Sequence, residues 1–184
     1  MKVKIRKSLL TDLDGIYQLN TECFKPTDQW YRVIISNYLN KGIVIENIKT
    51  QKIIGVLLEG DISACNPKLN ENSEFSAGQS NGYKPDIFEP VNKDIDFDQF
   101  ENYPGIVMIC IHPDFRGKKL AQKIIEKHFL KNKDKTVCLH TRRSNINAYS
   151  LYKKMGYEHV AYIKNKYFQP NEDSIFMVKK INLT

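Results

Sequence analysis

The segment Arg116-Gly117-Lys118-Lys119-Leu120-Ala121 follows an apolar run, Ile106 to Ile111, across the junction His112-Pro113-Asp114-Phe115. A buried strand that turns through a glycine into an amphipathic helix brings unpaired N–H groups and the positive end of a helix dipole to one point, which suits phosphate oxygens. Gly117 lets the main chain come close, and Arg116, Lys118 and Lys119 add charge, so the segment could hold a pyrophosphate. Any strand-glycine-helix junction shares part of this character. Further on, Asn145, Ala148, Leu151, Tyr152 and Met155 recur at helical spacing, so a carboxamide and a phenol share one face of a second helix. A phenol with a pKa of about 10 stays protonated at neutral pH and can give its proton to a developing anion. The alternative for Tyr152 is plain packing beside Leu151.

These side chains need elements to hold them. Val3 and Ile5 alternate with basic residues, as in a half-buried strand. Thr11 with Asp14 forms a capping-box pair ahead of a helix whose apolar face is Leu13, Ile16, Leu19, Cys23 and Phe24, and Pro26 interrupts it. Trp30 to Leu39 reads as a second helix. Gly42 to Asn47 and Lys52 to Glu59 read as a hairpin. From Gly105 the pattern is strand, helix from Phe115, strand (Thr136 to Thr141), helix (Asn145 to Met155) and strands at Tyr157 to Ile163 and Ser174 to Ile181. Between the halves, residues 62–102 are rich in Asn, Ser, Asp and Gly and fit neither period, which reads as a partly disordered insertion with Ile87-Phe88 and Phe97 to Phe100 docking locally. The order predicts an α/β fold, about seven strands with helices on both faces, in one domain spanning 1–184.

Composition narrows the class. Asp61 to Asn102 carries nine acids against three lysines, a net of −6, so of the chain's +7 the remainder holds +13. That favours an anionic partner: nucleic acid, a membrane surface or a polyanionic cofactor. Cys23, Cys65, Cys110 and Cys138 show no Cys-x-x-Cys or Cys/His pairing, which predicts reduced core thiols and no metal site. No apolar run is long enough for a signal segment or membrane span, and the expectation is a soluble, cytoplasmic protein.

Together the two segments resemble the GNAT-superfamily N-acetyltransferases, whose acetyl-CoA motif is Arg/Gln-x-x-Gly-x-Gly/Ala. Here it runs from Arg116 to Ala121, with Lys119 at the central glycine and expected to donate its N–H in helical geometry. Asn145-x-x-Ala148-x-x-Leu151-Tyr152-x-x-x-Gly156-Tyr157 follows the family's Asn-x-x-Ala-x-x-Leu-Tyr-x-x-x-Gly-Phe pattern, with Tyr for Phe at the end. The resemblance implies a GNAT fold, a mixed central sheet splayed at the fourth strand, and direct transfer from acetyl-CoA without a metal. It implies that Ile109, Cys110, Ile111, Arg116, Gly117, Lys118, Lys119, Leu120, Ala121 and Asn145 hold the coenzyme. Ile109 would present its N–H to the thioester carbonyl, Asn145 would bind the pantetheine arm, and Tyr152 would protonate the departing thiolate. Cys110 reads as packing and His112 as a strand-end residue without catalytic duty.

Val137 to Asn145 resembles more narrowly the protein N-terminal acetyltransferases that act on chains beginning with methionine. In these a histidine at this strand end serves with a tyrosine as general base, which implies that role for His140. The tyrosine's position on the fourth strand is Gly105 here, with Tyr103 nearby. Lys164-Asn165-Lys166-Tyr167-Phe168 resembles the subfamily's Asn-Tyr-Tyr run and Phe24-Lys25-Pro26 its Phe-Pro loop, implying that Phe24, Pro26, Val107 and Tyr167 meet the acceptor. The implied partners are a peptide or protein N-terminus, with other acetyltransferase subunits or the ribosome. The rival readings are a lysine or polyamine acetyltransferase, a basic nucleic-acid-binding module, against which no RNP, KH or zinc-finger pattern is present, and a pseudoenzyme that binds coenzyme A without turnover.

Overall fold

Alternating apolar and basic residues lay β1 (Val3–Lys7) antiparallel to β2 (Ile43–Asn47), with Ile5 opposite Ile45. β2 pairs antiparallel with β3 (Ile53–Asp61). The structure is a computed structural model that describes residues 1–61, 87–91, 103–168 and 171–180. Its contacts divide into two units, Met1–Gly60 with Ile106–Asn132 and Asp61–Gly105 with Lys133–Thr184.

In the first unit the strand order is β1-β2-β3-β5, where β4 is Ile87–Pro90 of the second unit and β5 is Pro104–Ile111. Val44, Val56, Leu58, Met108 and Cys110 form a core with Ile16 and Leu19 of α1 (Leu13–Cys23) and Ile35 of α2 (Arg32–Tyr38). Alternation along β2 and β3 turns Ile43, Ile45 and Leu57 to the opposite face, where they are equally buried. There α3 (Leu120–Lys131) lies against β2, burying Leu120, Ile124, Ile125 and His128. Both faces of these strands are therefore covered.

In the second unit the order is β6-β8-β7-β4, every pair antiparallel, with β6 at Val137–Arg142, β7 at Glu158–Phe168 and β8 at Asn171–Lys179. Cys138, Val160, Ala161, Ile163, Phe176 and Val178 form its core, with Tyr103 packed against them. α4 (Ile146–Lys154) joins β6 to β7.

Several expectations shift. Eight strands are described where about seven were expected, because Ile87–Pro90, inside the presumed insertion, pairs with β7. Phe97 to Phe100 and the rest of 62–102 other than 87–91 lie outside the described residues, as does Cys65. Among the described residues, Cys23, Cys110 and Cys138 are not disulfide-bonded. α1 is headed by Asp12 rather than Thr11: its carboxylate accepts the Leu9 N–H at 2.8 Å and the Arg6 guanidinium at 2.7 and 2.9 Å, and Arg6 holds its pKa below the ordinary value. The hairpin β7–β8 is longer than its apolar alternation suggested, since polar residues at its tip still pair through the backbone, as Tyr167 does with Glu172. No helix among the described residues is long and apolar enough to cross a membrane.

Candidate active site

In the first unit, β5 delivers Ile109, Cys110 and Ile111 to the turn that precedes α3. Cys110 is buried in the core, where contact with Cys23 and burial push its thiol pKa up. His112 opens the turn Pro113–Phe115, its Nδ1 accepting the Asp114 N–H at 3.2 Å, and its Nε2 lies 3.3 Å from Glu22. The Arg116 Nε–H donates to the Ile111 carbonyl at 3.0 Å, tying the motif's first residue to the end of β5. Lys118 Nζ donates to the Asp114 carbonyl at 2.9 Å and lies 5.0 Å over the Phe115 ring. Arg116, Gly117, Lys118 and Lys119 are exposed.

The helix starts at Leu120, not at Phe115, and the reason lies in two backbone angles. Gly117 has φ +74° and Lys119 φ +58°, so the chain winds left-handed twice before α3 begins. Lys119 is therefore not helical, and it stands in a conformation that L-residues resist by about 1 kcal/mol. This is the position where the family motif has glycine. Lys119→Gly is expected to raise unfolding stability by about 0.5 kcal/mol, the relief of strain being partly offset by the freer unfolded chain. A urea midpoint that falls instead would show that the lysine side chain holds the turn. The N–H groups of Leu120, Ala121 and Gln122 head α3, whose first internal bond in this turn is Lys123 N–H to the Lys119 carbonyl.

Phe24 caps the end of α1 in extended conformation, its carbonyl accepting from the Gln29 amide at 3.1 Å. Phe24 and Val107 both pack against the first unit's core, whereas Pro26 opens an exposed turn.

In the second unit, Asn145 is the N-cap of α4 rather than a member of its face. Its Oδ1 accepts the Ala148 N–H at 3.2 Å, which leaves the exposed carboxamide N–H₂ as the group it can offer a ligand. Tyr152 is 5% exposed and its ring meets Tyr157 edge-on at 5.8 Å. Burial pushes its phenol pKa above the ordinary value, so it is a protonated group at any working pH.

His140 faces Tyr167, its Nδ1 3.2 Å from the phenol oxygen. Burial, together with the charge of Lys166, drives the imidazole down to about 3, so it is neutral near pH 7. The Arg142 guanidinium lies 4.0 Å from the Tyr167 ring centre, and Glu172 holds Arg142 at 3.3 Å while also accepting from the Ser144 hydroxyl and N–H. The resemblance places Tyr167 on the acceptor, but no sequence signal singles out Glu172, which lies outside the strands read from apolar alternation and meets Tyr167 only through the β7–β8 pairing. Tyr103, the sequence's nearest substitute for a strand-four tyrosine, packs into the second unit's core. Among the described residues no group of His, Cys, Asp or Glu could hold a metal ion.

Residues 90–159 match the family described as Acetyltransferase (GNAT) domain. No curated protein matches the chain by sequence. Among solved structures, the ribosomal-protein-S18-alanine N-acetyltransferase from Escherichia coli is similar with a TM-score of 0.69 at 15% identity, over 100% of this chain and 96% of that one. NAA60 of Arabidopsis thaliana, solved in complex with acetyl-CoA, gives 0.69 at 17% identity over 98% of this chain and 100% of its own. A spermidine N-acetyltransferase chimera of Vibrio cholerae SpeG and hSSAT gives 0.62 at 17%, over 97% and 95%. At such identities the likeness is one of fold. Residues 90–159 thus match a GNAT acetyltransferase domain inside a fold shared with N-acetyltransferases, and the two together support an acetyl-CoA-dependent N-acetyltransferase.

Proposed function

We propose that this enzyme acetylates the free α-amino group of peptide or protein N-termini, in the cytoplasm, by direct transfer within a ternary complex. The observation that carries the reading is His140: a neutral imidazole at a strand end, bonded to a tyrosine, in the segment that resembles the N-terminal acetyltransferases. The ribosomal-protein acetyltransferase and the NatC complex with bound peptide, both similar in fold, support a peptide or protein N-terminus as acceptor and the ribosome or other acetyltransferase subunits as partners.

The donor motif fits a phosphate-bearing ligand. Nothing lies within 4 Å of where a Cβ on Gly117 would stand, Arg116, Lys118 and Lys119 are exposed cations, and α3 begins with open N–H groups. In the proposed mechanism these residues hold the pyrophosphate, the Asn145 carboxamide binds the pantetheine arm, and the Ile109 N–H meets the thioester oxygen as it becomes negative. Phe24, Pro26, Val107 and Tyr167 are the residues that the resemblance assigns to the acceptor. An ammonium first loses one proton to solvent, and the amine nitrogen then bonds the acetyl carbon. That nitrogen becomes far more acidic once acylation begins, so a weak base such as His140 can receive its second proton. Tyr152 gives its proton to the sulfur as the C–S bond breaks. Solvent returns a proton from His140 to Tyr152, and the products are an amide and the free thiol.

The fold shared with a spermidine acetyltransferase, and the net charge of −6 on Asp61 to Asn102, favour a polyamine as the second reading. A turnover screen with acetyl-CoA decides. Short peptides with free α-amines are expected to be consumed, while α-blocked lysine peptides and spermidine are not; turnover of spermidine alone overturns the proposal.

A further inference from the structure

The general base of this resemblance needs a tyrosine partner, and its position on β5 is Gly105. A phenol nevertheless stands beside His140. It comes from β7, two strands away across β8, in which His140 pairs with Phe176 and Tyr167 with Glu172. Between Ile163 and Tyr167 the β7–β8 register slips: β7 has three residues where β8 has only Asp173. Such a bulge redirects the side chains that follow it. Here it delivers Tyr167 to a site where its hydroxyl is 3.2 Å from Nδ1.

The phenol is itself held. Arg142 covers the ring face at 4.0 Å, and Glu172 fixes Arg142 at 3.3 Å with its carboxylate tied also to Ser144. A neutral imidazole carries one N–H, and the hydrogen bond made by one nitrogen decides the state of the other. His140 is neutral, so this bond chooses between a base and a donor.

We infer that Tyr167 is the positioning residue of His140: its oxygen accepts the Nδ1–H and so leaves the Nε2 lone pair for the acceptor amine. In this chain the hairpin β7–β8 supplies what the strand-four position lacks. The catalytic consequence rests on the function proposed above, whereas the tautomer does not.

The test is Tyr167→Phe, which keeps the ring under Arg142. The chain has four histidines, so ¹⁵N NMR of histidine-labelled protein, with His140→Gln to assign the signal, reads the tautomer directly. The wild type is expected to show His140 as the Nδ1–H form, and Tyr167→Phe to lose that preference at an unchanged unfolding midpoint. With an α-amine peptide, Tyr167→Phe is expected to lower kcat by about 10- to 10²-fold, below the full effect of a base, with the KM for acetyl-CoA unchanged. In a His140→Gln background it should add nothing. An Nε2–H wild type, a tautomer indifferent to Tyr167→Phe, or equal losses in both backgrounds overturns the inference. Should the Nδ1–H form hold while no α-amine peptide is turned over, the positioning stands and only the substrate assignment falls.

Discussion

Tyr152→Phe is expected to lower kcat by about 10²- to 10⁴-fold, the range for a single acid or base, while the KM for acetyl-CoA stays near the wild-type value. Its place explains why the effect should fall on kcat alone. The phenol sits on α4, 5% exposed, with burial raising its pKa above the ordinary value. A group so disposed cannot act as a base at neutral pH, but it can donate to a thiolate that develops only as the C–S bond breaks. Phenylalanine keeps the ring and its edge contact with Tyr157 at 5.8 Å, so the fold should survive. Pre-steady-state turnover with a thiol reagent reports the released coenzyme, and unchanged turnover removes Tyr152 from the acid's role.

The second large effect is on stability. Glu59 of β3 is 5% exposed; its carboxylate takes the Asn132 amide at 2.8 Å and Lys131 Nζ at 3.1 Å, and lies 3.0 Å from Nε2 of fully buried His128, poorly aligned for a hydrogen bond. Burial opposes the charge, but His128, Asn132 and Lys131 outweigh it and hold the carboxyl down to about 2. Glu59→Gln preserves the shape, removes the charge and leaves α3 with unpaired polar groups against β3. A loss of about 3 kcal/mol at pH 7 is expected, as for breaking one partner of a buried pair. The sign with pH follows from a carboxyl that is more acidic folded than unfolded: its contribution is complete above about pH 4.5 and is lost as pH falls toward 2. Urea midpoints of the two proteins should therefore differ near neutrality and converge in acid. A constant gap across that range would assign the loss to packing.

The sequence reading was best where the physics is local. Leu120, Ile124 and Ile125 recur every three to four residues, and the structure buries them on α3. Val3 and Ile5 alternate, and they form β1. It failed at single backbone angles. The lysine itself is compatible with a helix, so the only cue to a left-handed Lys119 is the glycine that the resembling motif has there, and the closing of the turn onto α3 sets the angle. It also failed at β4, where Ile87–Pro90 has too few residues to show a period and becomes a strand through its pairing with β7.

What the amino-acid sequence determined by itself is the resemblance to the GNAT acetyltransferases, the order of the elements other than β4 and the two motif segments, since turn residues and apolar spacing act within a few residues of each other. The tertiary structure alone decided that His140 bonds Tyr167 across 27 residues and that Glu59 meets Asn132 across 73. Such pairs depend on register and on a bulge in β7, and a one-residue slip along a strand sends every side chain to the other face. Long-range partners are thus chosen by the assembled sheet, where burial makes an unpaired polar group too costly to keep.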